Sequence, residues 1–131
     1  MLLRAAPYSP EPVVSAEPKR PARYFELRTY ESDTEKRLRA LNNRFGDHTL
    51  KLFSKHGMGQ VFYGDAVIGS GMPSLTYMLV FDTWAAREKA WADFGADPDW
   101  VKARDASAAD GQVVSRITSW LLRPTGYSPI Q

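Results

Sequence analysis

Two kinds of hydrophobic repeat follow each other along residues 23–122, and their order restricts the possible folds more than any other feature of the chain. A two-residue repeat, which predicts β-strands, occurs in residues 23–30, 58–68, 75–81 and 113–122. A repeat of three to four residues, which predicts helices, occurs in residues 35–56 and 83–109. This order predicts an α+β fold: a ferredoxin-like βαββαβ domain with a four-stranded antiparallel sheet and both helices on one face.

The first strand presents two different faces. We predict that its apolar face, with Phe25, Leu27 and Thr29, packs on the core, and that its second face is polar and aromatic. Because the helices cover only one face of the sheet, the other face, rich in Tyr, Trp, Met and Val, needs a partner. A second copy paired sheet to sheet would cover it, so we predict a homodimer with the architecture of a dimeric α+β barrel.

Residues 1–22 differ in composition from residues 23–131, which we assign to the domain. They contain five prolines among Ser, Glu and Ala, without an apolar repeat. Such a segment favours extended, solvated backbone, so we predict a flexible N-terminal extension. An arm that lies on a partner subunit, or a remnant of a removed targeting peptide, is the alternative interpretation.

Composition excludes several classes of protein. The 17 basic and 15 acidic residues leave a formal charge of +2 and are scattered, so we predict no nucleic-acid partner. The chain has no cysteine, which excludes disulfides, thiol nucleophiles and cysteine metal sites. No apolar run approaches about 18 residues, so we predict no membrane span. A soluble, cytoplasmic protein is expected, with export followed by processing of the extension as the alternative.

Four parts of the chain, in this order, resemble the NIPSNAP family. They are residues 24–30 (YFELRTY), residues 44–57 with Arg44-Phe45, His48 and Lys55-His56-Gly57, residues 81–100 (FDTWAAREKAWADFGADPDW), and residues 121–129 (LLRPTGYSP). Two features depart from the family pattern: Lys51 stands where a proline is usual, and residues 1–22 match nothing in it. The resemblance implies a dimeric α+β barrel and no established reaction.

Two histidines are the candidates for acid–base chemistry. His48 follows the apolar repeat of the first helix and is predicted to point at the sheet, either as a packed core residue or as the catalytic proton carrier of a helix–sheet pocket. His56 precedes Gly57 and is explained by the end of the helix. Two histidines without a clear acidic third ligand do not form a metal site, so we predict no metal and no cofactor.

Arginine and aromatic side chains on the strands and the second helix are the candidates for ligand binding. Arg28 and Arg116 lie in mid-strand, where they either pair with an acid such as Glu26 or Asp82, or bind the carboxylate of a small ligand. The aromatic candidates are Tyr30, Tyr63, Tyr77 and Trp84. We expect them mainly to fill the core, and the alternative is that they line a ligand pocket.

The leading hypothesis is therefore a small homodimeric protein of the NIPSNAP type, a binding or interaction module of undefined activity. The alternative is a cofactor-independent enzyme, similar to a monooxygenase or an isomerase, that acts on a small aromatic or hydrophobic ligand in a helix–sheet pocket. A third hypothesis, a stress or degradation-tagging interaction module, rests on the family resemblance.

Overall fold

A computed structural model describes residues 1–9, 11–13 and 21–131 of the chain. Its strands are β1 (Leu2–Ala5), β2 (Tyr24–Glu31), β3 (Gly59–Ile68), β4 (Ser74–Phe81) and β5 (Arg116–Leu122). Its helices are α1 (Glu35–Arg44), a π-helical segment (Phe45–Thr49), α2 (Leu50–Lys55), α3 (Trp84–Ala96) and α4 (Pro98–Ser107). Thr34 and Thr83 cap α1 and α3 through their side chains, and Asp97 caps α4. In the described ranges no helix has the length and apolar composition needed to cross a membrane.

The strands form one antiparallel sheet in the order β1-β3-β4-β2-β5. The α+β class and the antiparallel sheet are confirmed, but the predicted count of four strands is wrong, because β1 is a fifth strand. Leu2–Ala5 pairs with the edge of β3, whose backbone groups would otherwise lack partners. A flexible extension is therefore the wrong prediction for these residues, while residues 10 and 14–20 lie outside the described part.

The residues after β1 join the core. Ala6 is buried, and the ring of Tyr8 packs edge-on against Tyr63 with 5.7 Å between centroids. The Tyr8 hydroxyl donates a 2.6 Å hydrogen bond to Oδ1 of Asn42 in α1. The N-terminal segment is thus tied both to the sheet and to a helix.

The two faces of β2 are the reverse of the prediction. Glu26, Arg28 and Tyr30 point at the helices, whereas Phe25 and Leu27 point away from them. The reversal has a physical reason, because α3 brings hydrogen-bond donors to the polar face of β2 and so compensates its buried charges. The open face of the sheet carries one apolar row across four strands, Phe62, Met78, Leu27 and Trp120.

An aromatic core fills the space between sheet and helices. The Phe45 ring lies at its centre, 5.2 Å from the Tyr77 ring and 6.0 Å from the Tyr30 ring, centroid to centroid. Phe53 and Phe94 extend the cluster toward α3, with 4.9 Å between their centroids. Edge-to-face pairs of this kind are worth about 0.5–1.5 kcal/mol each beyond their buried area.

Candidate functional site

A fully buried carboxylate, Glu26, organises the helix-facing side of β2. It accepts hydrogen bonds from Arg28 at 2.8 Å, from Arg87 at 2.9 and 3.0 Å, from the Trp91 indole at 2.9 Å and from the Ser119 hydroxyl at 2.7 Å. The Arg28 guanidinium also lies over the Trp91 ring, 4.4 Å from its centroid. These contacts join β2, α3 and β5 into one unit.

The charge state of Glu26 follows from its partners. Burial alone would raise its pKa, but the hydrogen bonds from Arg87, Ser119 and Trp91 and the charge of Arg28 outweigh burial and lower the pKa to about 2. An ionised carboxylate with every lone pair engaged is a poor proton carrier. We therefore interpret this cluster as a structural anchor that supports Tyr30 from behind, since the Arg28 guanidinium carbon lies 5.4 Å from the centroid of the Tyr30 ring.

A neighbouring cavity, here called the Tyr30 cavity, has a volume of about 600 Å³ and lies between the β2–β5 side of the sheet and α4. It is lined by aromatic, aliphatic and basic side chains, among them Tyr30, Arg44, Trp100, Arg104, Val114 and Arg116. Aromatic and aliphatic residues make up half of the lining and polar or charged residues the other half. The volume lies within the range of small-molecule sites, and the polar share is higher than is usual for them.

Hydrogen bonds to the segment between α4 and β5 hold one wall of the cavity in place. Arg37 donates to the carbonyls of Gln112 at 2.6 Å and Asp110 at 3.2 Å, and the Ser32 hydroxyl donates to the Val113 carbonyl at 2.6 Å. Gly111 has a φ of 109°, and a Cβ there would lie 2.7 Å from the Arg37 guanidinium. Glycine is therefore favoured at this turn by its backbone conformation, and a side chain there would displace the Arg37 guanidinium from its position.

Two of the residues predicted from the sequence lie in this cavity, Tyr30 and Arg116. Arg28 and Tyr77 lie behind it: Arg28 is paired with Glu26, and the fully buried Tyr77 hydroxyl makes no well-formed hydrogen bond. The pairing of Arg28 with an acid was one of its two predicted roles, and it takes place beneath α3 rather than at a subunit seam.

The remaining predicted residues lie elsewhere. Tyr63 is buried on β3, stacked on Tyr77 and bonded to Gln60, whereas Trp84 is exposed at the start of α3. His48 does not point at the sheet; its exposed side chain lines a separate cavity of about 510 Å³ between the π-helical segment, α2 and α4. The wider turn of the π-helical segment explains this, because the buried position after Phe45 is Thr49.

The sequence analysis missed Arg44 and Trp100 as residues of the cavity. Arg44 is the last residue of α1 and only 7% exposed, and its guanidinium carbon lies 5.0 Å from the centroid of the Trp100 ring. The sequence does contain an indication that Arg44 is buried, because Arg44 follows Leu38 and Leu41 at three-residue steps on the buried side of the helix. A charged residue on an apolar stripe marks a site that needs a partner.

The family profile of NIPSNAP matches residues 25–129, which is most of the chain. The chain belongs to the NIPSNAP family. Outside that match lies β1, the strand that was not predicted. No curated protein matches this NIPSNAP chain.

Several solved structures share the fold of this NIPSNAP chain. A NIPSNAP family protein of unknown function from Agrobacterium tumefaciens is 18% identical, with a TM-score of 0.72 over 91% of this chain and 100% of that chain. A NIPSNAP-like domain protein from Burkholderia xenovorans is 17% identical, with a TM-score of 0.71 over 82% and 89%. A monooxygenase from the gene ActVA-Orf6 of Streptomyces coelicolor, in complex with nanaomycin D, is 15% identical, with a TM-score of 0.55 over 86% and 97%.

Proposed function

We propose that this NIPSNAP protein is a binding module for a small aromatic or hydrophobic molecule, and that the Tyr30 cavity is its binding site. The observation that carries the proposal is a cavity of about 600 Å³ in which two rings, Tyr30 and Trp100, meet the aliphatic side chains of Val114 and Ile117. Tyr30 contributes a ring and a hydroxyl, and Arg44 contributes a charge. Apolar surfaces on one side and polar or charged groups on the other suit an aromatic ligand that is oriented at one end.

The alternative, a cofactor-independent enzyme at the same cavity, is favoured by one finding. The Streptomyces monooxygenase that was solved with nanaomycin D shares the fold. With His48 outside the cavity, the Tyr30 hydroxyl is the proton-carrying group that this alternative would use. Mass spectrometry of an aromatic ligand after incubation with the protein in air separates the two functions, because only an enzyme changes the ligand.

A titration with N-phenyl-1-naphthylamine, a neutral aromatic dye whose fluorescence rises in apolar surroundings, tests the binding function. We expect saturable binding, and we expect Ala108→Phe to weaken it about tenfold or more, because Ala108 lines the cavity and the added ring fills it. The matched control is Ala92→Phe, which adds the same ring at an exposed position of α3. Wild-type protein that does not bind the dye, or equal binding by both variants, would contradict the proposal.

A further inference from the structure

We propose that the ligand of the Tyr30 cavity carries a carboxylate, and that Arg44 is the residue that binds it. This inference rests on the proposed binding function and adds the chemical class of the ligand. Its central observation is a buried arginine, exposed to 7%, that lines the cavity without an acidic partner.

The hydrogen bonds of Arg44 leave most of its guanidinium unused. One terminal nitrogen donates to the Ser107 hydroxyl at 3.0 Å, whereas Nε is buried and has no hydrogen-bond partner. No ion pair within the described ranges includes Arg44, in contrast to Arg28, which has Glu26 at 2.8 Å. Burial lowers the pKa of Arg44; the nearby Tyr30 and Tyr77 act against it, and the charge of Arg104 acts with it. A buried charge without a counter-ion is costly, and an anion in the cavity would relieve that cost.

The other charges of the cavity also favour an anion. Arg104 lines it with Arg44, and Arg116 lies at its edge, at the β5 position that pairs with Glu31. The acid among the lining residues, Asp105, is already bonded to Arg104 at 2.9 Å. The lining is therefore positive overall. A positive field inside a cleft raises the local concentration of anionic ligands.

A carboxylate is the anion that fits this geometry best. The planar guanidinium presents parallel N–H groups that match the two oxygens of a carboxylate. The ring of Trp100 already covers one face of the Arg44 guanidinium, so the ligand approaches its edge, where the donors are. Tyr30 lies in the same cavity and offers a ring surface for an aromatic body.

Isothermal titration of 2-naphthoate and its neutral counterpart 2-naphthamide tests the assignment, since the two ligands share size and shape. We expect wild-type protein to bind naphthoate about tenfold or more tightly than naphthamide, as charge-assisted hydrogen bonds are stronger than neutral ones. Arg44→Met keeps the apolar part of the side chain and removes the guanidinium, together with its contact over the Trp100 ring. We expect it to abolish the preference for naphthoate, because naphthoate loses a charge-assisted hydrogen bond and naphthamide loses only a neutral one.

Two further variants keep the test decisive. Arg44→Lys retains the charge without the planar fork, so it should weaken naphthoate binding while sparing naphthamide, even if Arg44→Met does not fold. Arg116→Gln removes an exposed charge from the same cavity and should reduce the preference only slightly.

Equal wild-type affinities for both ligands would overturn the inference and leave the binding function intact. Failure of both ligands to bind would overturn both proposals, and a preference that survives Arg44→Met would overturn the role of Arg44.

Discussion

At the scale of single residues, Arg28 and Arg44 of this NIPSNAP protein illustrate two outcomes for the same largely covered side chain. Arg28 lies against a carboxylate that belongs to the chain itself, and its charge is compensated within the fold. Arg44 lies against a ring and a hydroxyl, which leave its charge uncompensated. Burial is similar in the two cases, so the presence or absence of an acid separates a structural arginine from a candidate binding residue.

Glu26 is the residue whose charge we expect to matter most for stability. Glu26→Gln removes the partner of Arg28 and Arg87 while preserving size, so the free energy of unfolding should fall by about 3–5 kcal/mol in urea denaturation. The control Glu88→Gln removes an exposed acid that also bonds Arg87, and it should cost less than about 1 kcal/mol. Equal losses in the two variants would contradict the interpretation of Glu26 as the centre of the cluster.

The lowered pKa of Glu26 predicts that the free energy of unfolding depends on pH. The folded pKa of Glu26, about 2, lies below its usual 4.5, so the stabilisation is complete above pH 4.5 and is lost as the pH falls toward 2. Asp97, whose pKa is lowered by hydrogen bonds from Lys55 and His56, acts in the same direction. Glu26→Gln should therefore flatten the decline of unfolding free energy between pH 5 and pH 3 without abolishing it.

At the scale of elements, β1 is the largest departure from the sequence prediction. It is only four residues long, it has no two-residue repeat and prolines follow it, so no local pattern distinguishes Leu2–Ala5 from a tail. The strand exists because the edge of β3 supplies backbone partners, and that edge becomes visible only once the sheet is assembled. By contrast, the four predicted strands carry their own two-residue repeats and were found where those repeats occur.

Tyr8 provides the test of how firmly this element is attached. Tyr8→Ala removes a ring packed on Tyr63 and a hydrogen bond to Asn42, so we expect a loss of about 2–3 kcal/mol of unfolding free energy. Tyr8→Phe removes the hydrogen bond alone and should cost about 1 kcal/mol. Tyr127→Ala, at an exposed position, should change the stability by less than about 0.5 kcal/mol. If Tyr8→Ala behaves like Tyr127→Ala, the N-terminal segment does not contribute to the fold.

The π-helical segment explains why the predicted orientation of His48 was wrong. A regular helical repeat places His48 on the buried face, and one wider turn is enough to expose it and to bury Thr49 instead. Tyr30 lies in the cavity although the prediction placed its face of β2 away from the helices, because Glu26 and its partners in α3 turn that face toward the helices. Arg116 lies at the edge of the cavity, at the position of β5 that pairs with Glu31 on the open face of the sheet. Arg44 and Trp100 meet only through the packing of α1 on α4, which no repeat within either helix encodes.

At the scale of the whole molecule, the open face of the sheet predicts self-association. Its apolar row of Phe62, Met78, Leu27 and Trp120 faces away from every helix, and Trp120 is 62% exposed. Phe25, on the same face, is buried because the C-terminal Ile130 lies near it. An apolar surface that spans four strands is of the kind that a second sheet covers in symmetric dimers.

We therefore expect a dimer in solution, with Trp120 near its interface. Light scattering after size exclusion should give twice the mass of the chain at micromolar concentration, and Trp120→Glu should shift the protein to a monomer by placing a charge in the interface. Trp84→Glu is the matched control, because Trp84 is similarly exposed, at 44%, on the helical side. A wild-type monomer, or a Trp120→Glu dimer, would contradict this arrangement.

The turn between α4 and β5 has a consequence for how fast a ligand can arrive. Its backbone is held by Arg37 and Ser32, so the wall of the Tyr30 cavity exists before any ligand enters. The entropy of ordering that turn is lost during folding and not during association. For the proposed ligand we therefore expect association to be governed by diffusion and by the field of the arginines rather than by the opening and closing of a lid.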